Sequence, residues 1–272
     1  MSIASPQPFS DTMTMLWRNI LHNLRAPSGV ITVIGIPLIF LLLFVYVFGE
    51  TLGAGLMTGG TRDEYLAYIT PAILLMAAAS ATQMIAVWIS MDMSQGIIAR
   101  FRAMAIARSS VLAGHVYGGT ILITVSIAAL LGFALLLGHR PQADALDWLA
   151  LAGLVVLVGF ALAWLSVAFG LAAKRPDTAS NLPLLLMILP LLSGGFVPIE
   201  SLPGWLQGIA AYQPFTPIIS TIRGLLAATP EGRDVAWAVG WSIAIAVIGY
   251  VWSLWLYRRH AAPSMTRTAG VG

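Results

Sequence analysis

Six runs of apolar residues, most of them long enough to cross lipid as a helix, leave this chain few folds to choose from. They cover residues 30–48, 66–89, 111–137, 149–172, 182–196 and 235–257. A helix needs about 20 such residues to traverse a hydrocarbon core roughly 30 Å thick. A membrane barrel would instead alternate apolar and polar residues in segments of about ten, and these runs are continuous. With 58% hydrophobic and only 9% charged residues, the chain lies outside the soluble range. The expected fold class is an all-α integral membrane protein: one domain over 1–272, with six transmembrane helices.

Charge then sets orientation. If the N-terminus, the connections after runs two and four and the C-terminus share a side, that side holds ten basic residues and three acids, net +7. The other side holds Arg62, Arg140, Arg223 and Arg233 against eight acids, net −4. Lys and Arg favour the cytoplasm, so both termini are expected there, in a multi-pass membrane protein. The same distribution accounts for the pI of about 9.5 without nucleic acid. There is no cysteine, and the four histidines lack metal-ligand spacing, so no metal site is expected.

Three segments outside the runs carry signals. In residues 10–26, Met13, Leu16, Trp17, Ile20 and Leu24 recur at helical spacing opposite Arg18 and Arg25. This predicts an amphipathic helix lying in the lipid interface, with Trp17 at headgroup depth and its cations near lipid phosphate. The cytoplasmic loop at 92–110 combines Arg100, Arg102 and Arg108 with Phe101 and Met104, and apolar side chains on such a loop ask for a partner surface. Residues 192–226 are apolar, yet four prolines and five glycines break them. Pro198, Pro203 and Pro214 would divide this stretch into pieces too short to span, with Trp205 anchoring one piece. Glu200 is its only acid and Arg223 its only base: either a pair or water site at the outer mouth, or two surface charges that mark the outer side. Within the spans, Ser80, Gln83 and the adjacent Met84 are either packing contacts between helices or part of a substrate path.

The chain lacks an energy source of its own. No G-x-x-x-x-G-K-[ST] occurs, the single lysine follows no glycine loop, and no carboxylate sits mid-span to bind a coupling ion. No nucleophile and base are placed for catalysis, so the chain is not expected to be an enzyme.

The stretch "GIIARFRAMAIARSSVLAGH" after the second run, with "LLSGGFVPIESLPGWLQGIAAYQPFTPIISTIRGLL" after the fifth, resembles the ABC-2 type transporter permeases, nearest the daunorubicin-resistance group. The second motif is the more specific: Gly194, Gly195, Phe196, Val197, Pro198, Glu200, Pro203, Gly204, Trp205, Leu206, Gln207, Pro214 and Thr216 match it. Where the family reads R-F-R-S-L-P, this chain has Met104-Ala105, and where the family has G-R it has Gly114-His115. The resemblance implies that the loop carrying Arg100, Phe101, Arg102, Met104 and Arg108 docks on a separate dimeric ATPase. That partner would bind ATP and magnesium; this chain would bind no cofactor. It implies a second permease, identical or a sibling, and a re-entrant outer segment at 194–226 whose Phe196, Pro198, Glu200, Pro203, Trp205, Pro214 and Arg223 form an outer gate. It also implies export of a hydrophobic or amphipathic drug or lipid. Polysaccharide export and a non-transporting scaffold are the alternatives.

Overall fold

The computed structural model describes residues 27–51, 60–94, 108–173 and 175–261, together with positions 13 and 17. Every regular element among them is helical: α1 Pro27–Tyr46, α2 Arg62–Ser94, α3 Arg108–Leu136, α4 Ala145–Ala172, α5 Pro176–Asn181, α6 Leu184–Ile188, α7 Gly204–Tyr212, α8 Phe215–Leu226 and α9 Gly232–Ala261. Four of these, α2, α3, α4 and α9, are long and apolar enough to cross a membrane. At about 1.5 Å per residue, the 20 residues of α1 also match a core about 30 Å thick.

Polar caps carry the helices past the apolar runs. The Thr61 amide donates to Glu64 Oε2 at 2.9 Å, and the Glu64 amide to Thr61 Oγ1 at 3.3 Å. Asp144 and Asp147 form the same reciprocal box at the start of α4. Each box satisfies amides that a helix start leaves open, so α2 and α4 begin ahead of their first apolar run.

The bundle is built around α2. Its Leu66, Ile69, Ile73, Leu74, Leu75 and Met76 are all buried although they point in different directions around the helix. A helix apolar on every side belongs in the centre of a bundle. Here α1, α3, α4, α5 and α8 all pack against it. The second hub is α4, held between α2 and α9 by glycines. A Cβ at Gly170 would lie 2.7 Å from Ile89 Cβ, and one at Gly249 would lie 2.8 Å from the Leu165 backbone nitrogen. Ser253, four residues after Gly249, donates to the Trp164 carbonyl at 3.3 Å. Small residues four apart let two helices approach closely, which is the main source of helix attraction where lipid is as apolar as the protein. Trp252, whose place near a span end suggests the lipid interface, instead meets Phe169 edge-on at 5.7 Å inside this contact.

The fifth run is not one helix. Pro183 separates α5 from α6, and Pro190 opens a 3₁₀ turn over Leu189–Leu192. Each proline removes an amide donor and crowds the preceding turn. The expected fifth spanning helix is therefore a chain of short pieces ending in a reversal at Gly194, whose φ of +64° is left-handed.

The connection after α3 closes with amides of Gly138 and His139 bonded back to Leu135 and Ala134, Gly138 taking a positive φ of 113°. The turn folds His139 inward, and burial holds its pKa below the usual 6.5. The unfolded chain keeps an ordinary histidine, so it takes up the extra proton more readily as pH falls through 6.5, and stability drops there. We expect the thermal unfolding midpoint of the detergent-purified protein to fall between pH 7.5 and 5.5, and to fall less in His139→Gln. Equal pH slopes for the two proteins would refute that contribution.

Candidate transport elements

Two places bring sequence-marked residues together, and a third holds the footing of the expected docking segment. The first is the reversal after the fifth run. Pro198, Pro203 and Pro214 each immediately precede a new helical piece: a 3₁₀ turn at Ile199–Ser201, then α7, then α8. At about 1.5 Å per residue, α7 with nine residues and α8 with twelve are both too short to cross lipid. Side-chain amides hold the pieces together. Gln207 Nε2 donates to the Leu202 carbonyl at 2.9 Å, and Gln213 Nε2 to that of Leu189 at 2.9 Å. Phe196 is buried, its ring 4.8 Å from that of Phe44 on α1. Trp205 stands 75% exposed on α7, the position of a side chain available to lipid or a partner.

The arrangement of Arg223 differs from the pair expected with Glu200. Among the described residues no ion pair joins them. The Arg223 guanidinium instead lies 4.0 Å over the Tyr68 ring and donates to the Tyr68 carbonyl at 3.0 Å. The Tyr68 hydroxyl in turn donates to the Gly194 carbonyl at 2.7 Å, toward which Arg223 also points at 3.5 Å. Thus α2, the reversal and α8 are joined at one carbonyl. Tyr68 carries no mark in the sequence, because its partners lie 126 and 155 positions away.

The second place is a cavity of about 220 Å3 between α1, α2 and α5 that takes in Ser80, Gln83 and Met84 together with Thr32, Ile36 and Ser180. Gln83 Nε2 donates to the Ser180 carbonyl at 2.7 Å, while Ser80 Oγ is buried without a partner among the described residues. The notch is apolar with a few fixed polar groups, which suits an amphipathic guest in outline.

The third place is the footing of the loop at 92–110. Helix α2 runs to Ser94, whose hydroxyl donates to the Met91 carbonyl at 2.8 Å, so Ser94 closes a helix rather than starting one. Helix α3 begins at Arg108. His115 Nε2 sits 3.3 Å from Asp92 Oδ2, tying the two helices just inside the loop. This gives His115, which stands where the resembled family has arginine, a partner within the chain. Arg100, Phe101, Arg102 and Met104 lie outside the described residues, as do Arg18 and Arg25 of the expected interfacial helix. Of that helix, Met13 and Trp17 are described, both helical and exposed.

Comparison with known proteins bears on the whole chain. A profile of the family described as ABC-2 type transporter matches residues 10–227. The "Daunorubicin resistance ABC transporter permease protein DrrB1" of Streptomyces coeruleorubidus is 28% identical over 255 residues, covering 93% of this chain and 88% of that protein. The "Probable doxorubicin resistance ABC transporter permease protein DrrC" of Mycobacterium tuberculosis is 29% identical over 235 residues, covering 86% and 84%.

Proposed function

The chain belongs to the ABC-2 type transporter family, and from that membership we propose that it is the permease subunit of an ATP-driven exporter of drug-like or lipid-like amphiphiles. The observation that carries the reading is similarity along nearly the full length to permeases named for daunorubicin and doxorubicin resistance. The apolar notch around Ser80, Gln83 and Met84 supports an amphipathic cargo, since a sugar polymer would ask for a continuous polar lining. In this reading α1, α2, α3, α4, the broken α5–α6 segment and α9 cross the membrane. The pieces from 194 to 226 re-enter the outer leaflet and close the outer mouth. The loop carrying Phe101 seats on a separate ATPase dimer that binds ATP and magnesium, and two permeases complete the unit.

Inverted membrane vesicles containing the permease and its coexpressed ATPase should accumulate daunorubicin when given ATP. Vesicles lacking either subunit should not. Accumulation that is indifferent to the permease would overturn the reading. Orientation has its own test, helped by the absence of cysteine. Single cysteines introduced near Arg62, Asp144 or Gly204 should react with an impermeant maleimide in spheroplasts, and those near Arg102 or Lys174 only after lysis. Labelling near Arg102 in sealed spheroplasts would reverse the topology.

A further inference from the structure

A second cavity, of about 390 Å3, opens among the first turns of α2, the α3–α4 connection and the end of α8. Glu64, Tyr68, His139, Arg140, Gln142 and Arg223 line it. The backbone around it is fixed, with the Gln142 amide donating to the Leu226 carbonyl at 2.9 Å. We propose that this cavity is a binding site for the anionic headgroup of an amphiphile, a phosphate or carboxylate seated between Arg223, Arg140 and His139 with its apolar part leaving past Leu226.

Unfinished polar contacts point there. His139 is 5% exposed, and neither ring nitrogen has a partner among the described residues. The Nε of Arg223 is likewise buried and unpaired. Buried polar atoms are rarely left so, and the oxygens of an anionic headgroup would accept from the Arg223 Nε–H and the His139 N–H, with a headgroup hydroxyl donating to the other ring nitrogen. Charge gives the sign of the guest. Two guanidinium groups face one carboxylate, and Glu64 Oε2 is already engaged by the Thr61 amide. Among the described residues no acid forms an ion pair with Arg223; Glu200 acts on Tyr68 only through its charge. Segment 52–59, which precedes α2, contains no acid. Size gives the class. The volume is many times the roughly 30 Å3 of a water molecule and suits a headgroup better than a lone ion. Apolar Ala67, Leu226 and Ala227 complete the wall, where an acyl chain or ring would continue.

The site does not depend on the transport reading, and its test needs neither ATPase nor cargo. Isothermal titration of the purified permease in neutral maltoside would use dihexanoyl phosphatidylglycerol, inorganic phosphate, and dioctanoylglycerol, which has no anionic group. Phosphatidylglycerol should bind at one site per chain, weakened about tenfold or more by Arg223→Gln and severalfold by His139→Phe. Arg140→Gln alters an exposed side chain, should keep the fold, and should weaken binding about threefold. Inorganic phosphate binding with the same dependence on these variants would identify a free anion as the source; binding confined to phosphatidylglycerol would identify a lipid headgroup. Failure of both anions to bind, binding unaffected by all three substitutions, or equal binding of dioctanoylglycerol would each overturn the proposal.

Discussion

Leucine at position 249 should prevent the permease from reaching its folded state in the membrane. The Cβ alone would fall 2.8 Å from the Leu165 backbone nitrogen and 2.8 Å from the Trp164 carbonyl carbon. Backbone cannot turn aside as a side chain can, so α9 would have to move off α4. Overpacking a core typically costs about 1–3 kcal/mol, and contact with backbone puts this case at or above the upper end. The separation would also open the Ser253 bond to Trp164 and the edge contact of Trp164 with Tyr250, whose rings lie 4.9 Å apart. Membrane abundance should fall severalfold and protease sensitivity should rise, with Gly249→Ala intermediate. Gly240→Leu is the control, because no neighbour lies within 4 Å of a Cβ there. Equal losses in Gly240→Leu and Gly249→Leu would mean that the close approach is not what matters.

Replacing Phe101 with alanine should leave the membrane domain intact and disconnect it from its motor. The two helices that bear its loop end at Ser94 and begin again at Arg108, and Asp92 and His115 tie them together 3.3 Å apart. A segment held between two helices tied in this way can transmit motion if a partner grips it. Burial of an aromatic side chain in a partner is worth about 1.5–3 kcal/mol, which corresponds to about a tenfold to hundredfold loss of affinity when it is removed. The variant should reach wild-type abundance, copurify poorly with the ATPase and lose most ATP-driven export. A Phe101→Ala protein that assembles and exports normally would place the docking contact elsewhere.

The helices were legible in the sequence to the extent that lipid dictates them. The runs at 66–89 and 149–172 lie inside α2 and α4, and the ends differ because Thr61-Glu64 and Asp144-Asp147 cap the helices outside the apolar stretch. Apolarity marks what must be in lipid, not where the last hydrogen bond closes. Composition marks the fifth run as a span, while its Pro183 and Pro190 mark the breaks that the fold shows. Side-chain partnerships across long sequence distances were not legible. Glu200 is the only acid that shares the stretch 192–226 with Arg223, but α8 lies against α2, so Tyr68 receives the guanidinium. His139 gave no sign either, since an isolated histidine after a glycine reads the same exposed or buried. By contrast, Ser80, Gln83 and Met84 stood within one helical turn or so of each other, and local spacing alone brought them to one cavity.

The carbonyl of Gly194 also bears on the order in which the protein can be made. Its two donors come from Tyr68, 126 residues earlier, and Arg223, 29 residues later. While the ribosome is still completing the segment after Gly194, the pieces of the fifth run have neither the length of a stable span nor the guanidinium that later reaches their reversal. In the membrane arrangement proposed above, the insertion machinery would have to hold an unfinished hairpin until α8 emerges. Only then could Arg223 reach back and fasten the reversal.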